Sequence, residues 1–217
     1  TRFGQALKAC KKRGVQNIVM AGRVKHQKIF NLSWWKFDWV TVKFCLSLKD
    51  WRADTILNEF CNLFQSKGIE IMSSVHFLGR FFRKKGCLTK TSPSASQWKD
   101  IDLGKKIAKQ MGGLDIGQTV VIKKLSIVAV EAMEGTDLCL ERSQAIAGSE
   151  CVVVKVSKPN QDMRFDVPVI GLNTIEKMIK IRAAGIAIEA EKTLILDPEV
   201  VTKADEHNLF IVTVEPY

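Results

Sequence analysis

Twice near the start of the chain an amphipathic helix runs into a glycine and then into a short apolar segment, an order that points to an α/β fold. Phe3, Ala6, Leu7 and Cys10 share one helical face, Gly14 stops the helix, and Val15 to Met20 follows as a buried strand. The pattern returns with Ile56, Phe60 and Phe64 on a helix from Asp50 to Gln65, a break at Gly68 and a strand from Ile69 to Met72. A sheet of this kind usually opens with a strand and a phosphate-binding turn before its first helix, and no such opening precedes Phe3. The first half therefore reads as a Rossmann-like domain truncated at its N-terminus.

From Arg83 to Asp100 the chain becomes RKKGCLTKTSPSASQWKD, without sustained periodicity, which places a linker here and a domain boundary near Ser96. The expected organisation is two α/β domains, residues 1–96 with the linker and residues 97–217. The second half predicts a helix from Gly104 to Met111, strands Thr119 to Lys123 and Ser126 to Glu131 about a tight turn at Lys124-Leu125, and a helix from Asp137 to Ala147 capped by Thr136. A strand from Cys151 to Ser157, a helix from Thr174 to Ala184 capped by Asn173, a strand from Ile186 to Ala190, an N-cap at Asp197-Pro198 and a strand from Leu209 to Val214 complete it.

Charge separates the halves. Residues 1–99 hold 19 Lys and Arg against 5 Asp and Glu, whereas residues 100–217 hold 14 against 18. The basic half suits a polyanion, whether nucleic acid, an anionic membrane or a phosphorylated ligand. No nucleic-acid-binding motif accompanies it, so nucleic acid is not the expected partner, although a basic binding module is the rival from another class. No apolar run approaches the roughly 18 to 20 residues that span a bilayer. Six cysteines at 10, 45, 61, 87, 139 and 151 show no CxxC pair, which suggests reduced core thiols and a cytoplasmic setting. His26, His76 and His207 are isolated, which leaves acid-base work to carboxylates. Four of five tryptophans, Trp34, Trp35, Trp39 and Trp51, fall in a basic segment suited either to a buried helical hairpin or to a membrane interface.

The chemistry concentrates between Glu131 and Asp166, where EAMEGTDLCLER and KPNQDMRFDVP flank the strand CVVVKV. Glu131, Glu134, Asp137, Asp162 and Asp166 interleave with Lys155, Lys158 and Arg164, a composition that suits a divalent metal beside a phosphate. Thr136 opens a helix whose free amides could hold a phosphate oxygen or be capped by its own hydroxyl. Asp162, Arg164 and Asp166 alternate as on one side of an extended segment.

At these residues the sequence resembles a known family. AVEAMEGTD, KPNQDMRFDVPVIG, AGIAIEA and DIGQTVVI, together with FGQALKACKKRGVQNIVMAGRV and GCLT upstream, look like the bacterial UDP-2,3-diacylglucosamine pyrophosphatases of lipid A biosynthesis. The resemblance implies two α/β domains joined by a linker, a divalent metal, typically magnesium, and hydrolysis of UDP-2,3-diacylglucosamine to UMP and 2,3-diacylglucosamine 1-phosphate. It implies Asp162, Asp166 and Glu134 as catalytic residues, with Asp162, Asp166, Glu131 and Asp137 as metal ligands. Lys155, Lys158, Gln161, Arg164 and Thr136 would bind substrate. The implied setting is the cytoplasm of a Gram-negative bacterium, peripheral on the inner membrane; a homodimer is compatible with the sequence. Relatives carry a glycine-rich turn ahead of the first helix and glycine where this chain has Asn160 and Glu191. The missing turn makes an inactive truncated homologue the alternative.

Overall fold

The computed structural model describes residues 2–21, 37–164 and 167–216. Contacts divide these into two compact units. One holds the described residues up to Phe77 together with 162–164, and the other holds 78–161 and 167–216. The α/β expectation holds in both. The expected boundary near Ser96 falls inside the second unit, because residues upstream of it have already joined that unit's sheet.

The first unit contains α1 (Phe3–Lys12), β1 (Asn17–Val19), α2 (Trp39–Ser47), α3 (Ala53–Gln65) and β2 (Glu70–Met72), followed by one turn of helix, α4 (Val75–Leu78), where the chain passes on. β1 and β2 pair in parallel, Ile18 opposite Ile71, so both helix-glycine-strand passages lead into neighbouring strands. Leu7 of α1, Cys61 and Phe64 of α3, and Ile69 and Ile71 beside or within β2 form the core. β1 is shorter and less buried than its sequence suggests, with Val19 39% exposed, because β2 is its one strand neighbour among the described residues. Asp38 joins two helix starts: its Oδ1 accepts the Thr41 amide of α2 at 2.9 Å and its Oδ2 accepts the Gln5 amide of α1 at 3.1 Å. One carboxylate thus satisfies donors that both helix ends leave free.

The second unit is a three-layer sandwich around a six-stranded sheet in the order β3-β10-β8-β6-β4-β5. Its strands are β3 (Gly86–Cys87), β4 (Thr119–Lys123), β5 (Ser126–Val130), β6 (Val152–Lys155), β8 (Gly185–Glu189) and β10 (Phe210–Val214). β6, β8 and β10 run parallel, while β4 is antiparallel to both β6 and β5. β5 therefore points the same way as the parallel strands. α5 (Ala95–Gly113) covers one face, packing Ile101 and Ala108 on Val120, Ile122, Val154 and Ala187. α6 (Thr136–Ala147), α7 (Leu172–Lys180) and α8 (Glu199–Glu206) supply Leu140, Ile175, Met178 and Val200 to the other face, against Val121, Val153, Ile186 and Ile211. Neighbouring strand residues alternate between the two layers, as the pleat requires. A Cβ on Gly104 would lie 2.4 Å from Ile122 Cδ1 and 2.6 Å from Val154 Cγ2, so glycine lets α5 approach the sheet closely. A separate pair, β7 (Val169–Ile170) and β9 (Leu194–Ile195), runs parallel.

Local chemistry corrects several expected helix ends. α5 begins at Ala95 rather than near Gly104, because Ser94 and Gln97 form a reciprocal capping box inside the segment read as linker. Thr136 is the first residue of α6 rather than its cap; Gly135 is the cap position and makes no side-chain bond. Asn173 lies inside α7 and does not cap it. The Leu172 amide there donates instead to Asp197 Oδ2 at 3.0 Å, so Asp197 serves α7, and α8 starts after Pro198 with no side-chain cap. The Lys124-Leu125 turn has positive φ at both residues (51° and 62°), the form that matches strand twist in a two-residue hairpin. Glu191, where relatives were expected to carry glycine, takes φ 56°, so the turn does demand a left-handed residue; Asn160 does not adopt one.

Candidate functional site

The direction of the strands gathers most of the predicted residues of the second unit on one edge. β5 ends beside Glu131, β6 ends at Lys155, β8 ends at Glu189, and antiparallel β4 begins at Thr119 on the same side. This is the carboxyl edge of the parallel strands, where open α/β sheets hold their ligands.

Lys155 is the centre of the first cluster. Its ammonium donates to Thr136 Oγ1 at 3.0 Å and Thr119 Oγ1 at 3.1 Å, and lies 3.6 Å from Glu131 Oε2. The Thr136 hydroxyl donates to Glu131 Oε1 at 2.9 Å, which explains why it is unavailable as a helix cap. Burial pushes the Glu131 carboxyl up, but the Lys155 ammonium and neighbouring threonine hydroxyls outweigh it and hold its pKa below the usual glutamate value. Glu131 is thus an anion at neutral pH, already matched to a cation. Gly117 permits this packing: a Cβ there would sit 2.1 Å from the Glu131 carbonyl oxygen.

A second cluster follows β6. Lys158 is nearly buried, and its ammonium reaches Asp115 Oδ1 at 2.5 Å. The Gln161 side-chain oxygen accepts the Lys158 amide at 2.8 Å and closes the turn. Glu134 instead braces its own loop, accepting the Ala132 amide and pairing with Arg142 at 2.6 Å. Asp137 accepts from Asn173 Nδ2 at 3.0 Å on an exposed part of α6.

Asp162 and Arg164 belong to the first unit, where the Met163 carbonyl accepts the Ser73 hydroxyl at 2.7 Å. They do not alternate along an extended strand as expected. The chain turns at Met163-Arg164, and Asp162 curls back to accept the Arg164 amide at 2.9 Å while its carboxylate meets the guanidinium at 2.7 Å. The Arg164 hydrogen bonds hold the Asp162 pKa below the ordinary aspartate value. Asp166 lies outside the described residues, as do His26, Trp34 and Trp35. Among the described residues no group of three or more His, Cys, Asp or Glu is placed to hold a metal ion. Glu131, Asp137 and Asp162 each spend at least one carboxylate oxygen on a neighbour instead.

Both units have counterparts among known proteins. The LpxI N-terminal domain model matches residues 1–81 and the LpxI C-terminal domain model matches residues 84–212. The chain belongs to the LpxI family. It is also 37% identical over 172 residues to a Caulobacter vibrioides protein named UDP-2,3-diacylglucosamine pyrophosphatase LpxI, an alignment covering 75% of this chain and 61% of that protein.

In this LpxI-family chain a third group, which the acidic motifs do not announce, occupies the same sheet edge. Lys109 of α5 and Glu189 of β8 form a buried ion pair at 2.8 Å, and both bind Ser157. The signal in the sequence is a glutamate inside the otherwise apolar run AGIAIEA, a charge that a buried strand has to pair. Asp115, the partner of Lys158, is equally unannounced; it lies in the DIGQT motif but outside the acidic segment.

Proposed function

We propose that this chain hydrolyses the pyrophosphate bond of UDP-2,3-diacylglucosamine, yielding UMP and 2,3-diacylglucosamine 1-phosphate. The observation carrying the proposal is that the chain matches both LpxI domain models in order, with Lys155 and Lys158 at the carboxyl edge of the second unit's sheet. In this reading Lys155, Lys158 and Arg164 neutralise charge that develops on the phosphate oxygens. Thr136 and Gln161 orient the substrate, while Asp162, Asp166 and Glu134 position or deprotonate the attacking water. A divalent ion, magnesium for preference, belongs to the proposal through Asp162, Asp166, Glu131 and Asp137. The described carboxylates do not by themselves assemble such a site. The test is UMP release from UDP-2,3-diacylglucosamine with magnesium and with a chelator. Turnover in magnesium that falls to background with chelator is expected. Turnover indifferent to chelator would remove the metal, and no turnover in either arm would favour an inactive homologue.

We place this work in the cytoplasm at the inner membrane of a Gram-negative bacterium, and a surface on the first unit supports contact with anionic lipid. On α2, Trp39 is 71% exposed and Leu46 76% exposed, and the Lys43 ammonium lies 5.9 Å from the Trp39 ring centroid. Apolar tips beside a cation suit the headgroup region, and the substrate carries two acyl chains. Among the described residues no helix is long and apolar enough to cross a membrane, so the contact would be peripheral. Vesicles containing anionic lipid are expected to retain the protein at low salt and to release Trp39→Ala/Leu46→Ala more readily. Equal retention of both proteins would remove this surface from the reading.

A further inference from the structure

We infer that Lys109 and Glu189 form a positioning pair whose task is to hold the Ser157–Gln161 turn, and with it the Lys158 ammonium, in the geometry that hydrolysis needs. The activity side of this inference rests on the hydrolase reading above, while its structural side stands apart from that reading.

Glu189 is fully buried at the end of β8, a strand with neighbours on both sides. Its Oε2 accepts the Ser157 amide at 2.8 Å, the Ser157 hydroxyl at 2.6 Å and the Lys109 ammonium at 3.0 Å. Lys109 reaches in from α5 and also donates to the Ser157 carbonyl at 2.9 Å and hydroxyl at 3.2 Å. The amide, carbonyl and side chain of one residue are therefore all fixed by a single ion pair drawn from two other elements. The next residue is Lys158.

Further contacts fix Lys158, the residue that follows the anchored Ser157. Gln161 closes the loop through the Lys158 amide, and the Gln161 amide donates back to the Lys158 carbonyl at 3.2 Å. On the other side, a Cβ on Gly112 would stand 3.3 Å from Lys158 Cα, so α5 presses directly on the backbone that Lys109 holds one residue earlier. A side chain near its phosphate partner is useful only if its backbone is fixed, and a misplacement of about 1 Å can cost about 100-fold in rate. Stability alone gives little reason to keep such a pair. Replacing a buried ion pair by apolar residues of similar volume is often neutral or stabilising, whereas Ser157 needs a specific donor and acceptor beside it.

The experiment compares the parent chain with Lys109→Met/Glu189→Leu, which removes both charges and keeps apolar volume. Melting temperature, kcat and KM for UMP release, and amide hydrogen exchange across residues 157–161 are measured. The double variant is expected to melt below the parent but by less than Glu189→Ala does, since it takes partners from the Ser157 amide, carbonyl and hydroxyl but strands no charge. It is expected to lose about 10- to 100-fold in kcat with KM within about threefold. Its amides in 157–161 should exchange at least about tenfold faster, with β6 and β8 unchanged. A double variant with kcat within about threefold of the parent, or with unaltered exchange at 157–161, overturns the inference. If it does not fold, Ser157→Ala, which removes only the hydroxyl bonds, is measured in the same way. A loss of about fivefold in kcat with faster exchange is then expected, and unchanged kcat or unchanged exchange overturns the inference. If the parent itself releases no UMP, the hydrolase reading fails separately and exchange alone decides the clamp.

Discussion

Asp162→Asn is expected to reduce UMP release by about 100-fold or more while leaving both units folded, the scale on which loss of a working acid-base or charge-positioning group is felt. The fold should survive because the amide oxygen can still accept the Arg164 amide, now 2.9 Å from Asp162 Oδ1. The side chains are also partly exposed, 28% for Asp162 and 32% for Arg164, so the lost ion pair contributes little to stability. The pairing also bears on the role proposed for Asp162. Its hydrogen bonds with Arg164 hold the carboxyl below the usual aspartate range, which makes it a weak proton acceptor at neutral pH. It suits holding a cation or a water better than taking a proton. The sign of the linkage agrees: a lowered folded-state pKa gives stabilisation present above the ordinary aspartate value and lost as pH falls through the folded one. Circular dichroism with the UMP assay checks the variant. A folded Asp162→Asn chain with near-normal turnover would sink the assignment.

Glu189→Ala carries the largest expected effect on stability, a loss of about 3–5 kcal/mol, because it strands the Lys109 ammonium in the interior with its counter-ion gone. Lys109 is only 8% exposed and reaches across 80 positions of sequence to find Glu189. Unfolding in urea, followed by amide hydrogen exchange across β6, β8 and β10 to report the second unit, measures this. The contrast with the paired apolar replacement is informative. The single variant should be much less stable than the double, although it changes fewer residues. Similar midpoints for the two would mean that the lysine finds water or another partner when Glu189 is removed.

How much of the fold and the candidate site is legible in the sequence follows the range of the interactions involved. α1, α3 and the strands after them are legible because Phe3, Leu7 and Cys10, or Ile56, Phe60 and Phe64, declare a face through neighbours three and four positions away. The Lys124-Leu125 hairpin is legible for the same reason, since two strands of β-branched residues abut a two-residue turn. Thr136 misleads because a threonine before an acidic residue at a helix start meets every local criterion for a cap, while its hydroxyl is claimed by Glu131 and Lys155 from other elements. Lys109 is invisible for a sharper reason. In GKKIAKQ it looks like one more solvated lysine of an amphipathic helix, and only the arrival of β6 and β8 makes it internal. The Asp162-Arg164 turn passes for extended chain because alternation of charge looks the same whether side chains project from a strand or curl back on themselves.

The bond between the Ser73 hydroxyl and the Met163 carbonyl spans 90 positions, and nearly all the intervening chain belongs to the other unit. As the polypeptide leaves the ribosome, the first unit therefore cannot be finished when its own contiguous residues have emerged. It must wait until more than half of the second has been made. The order of synthesis and the order of completion differ, and a cut in the loop after Gln161 would separate Asp162 and Arg164 from the preceding chain while every helix and strand remained uncut.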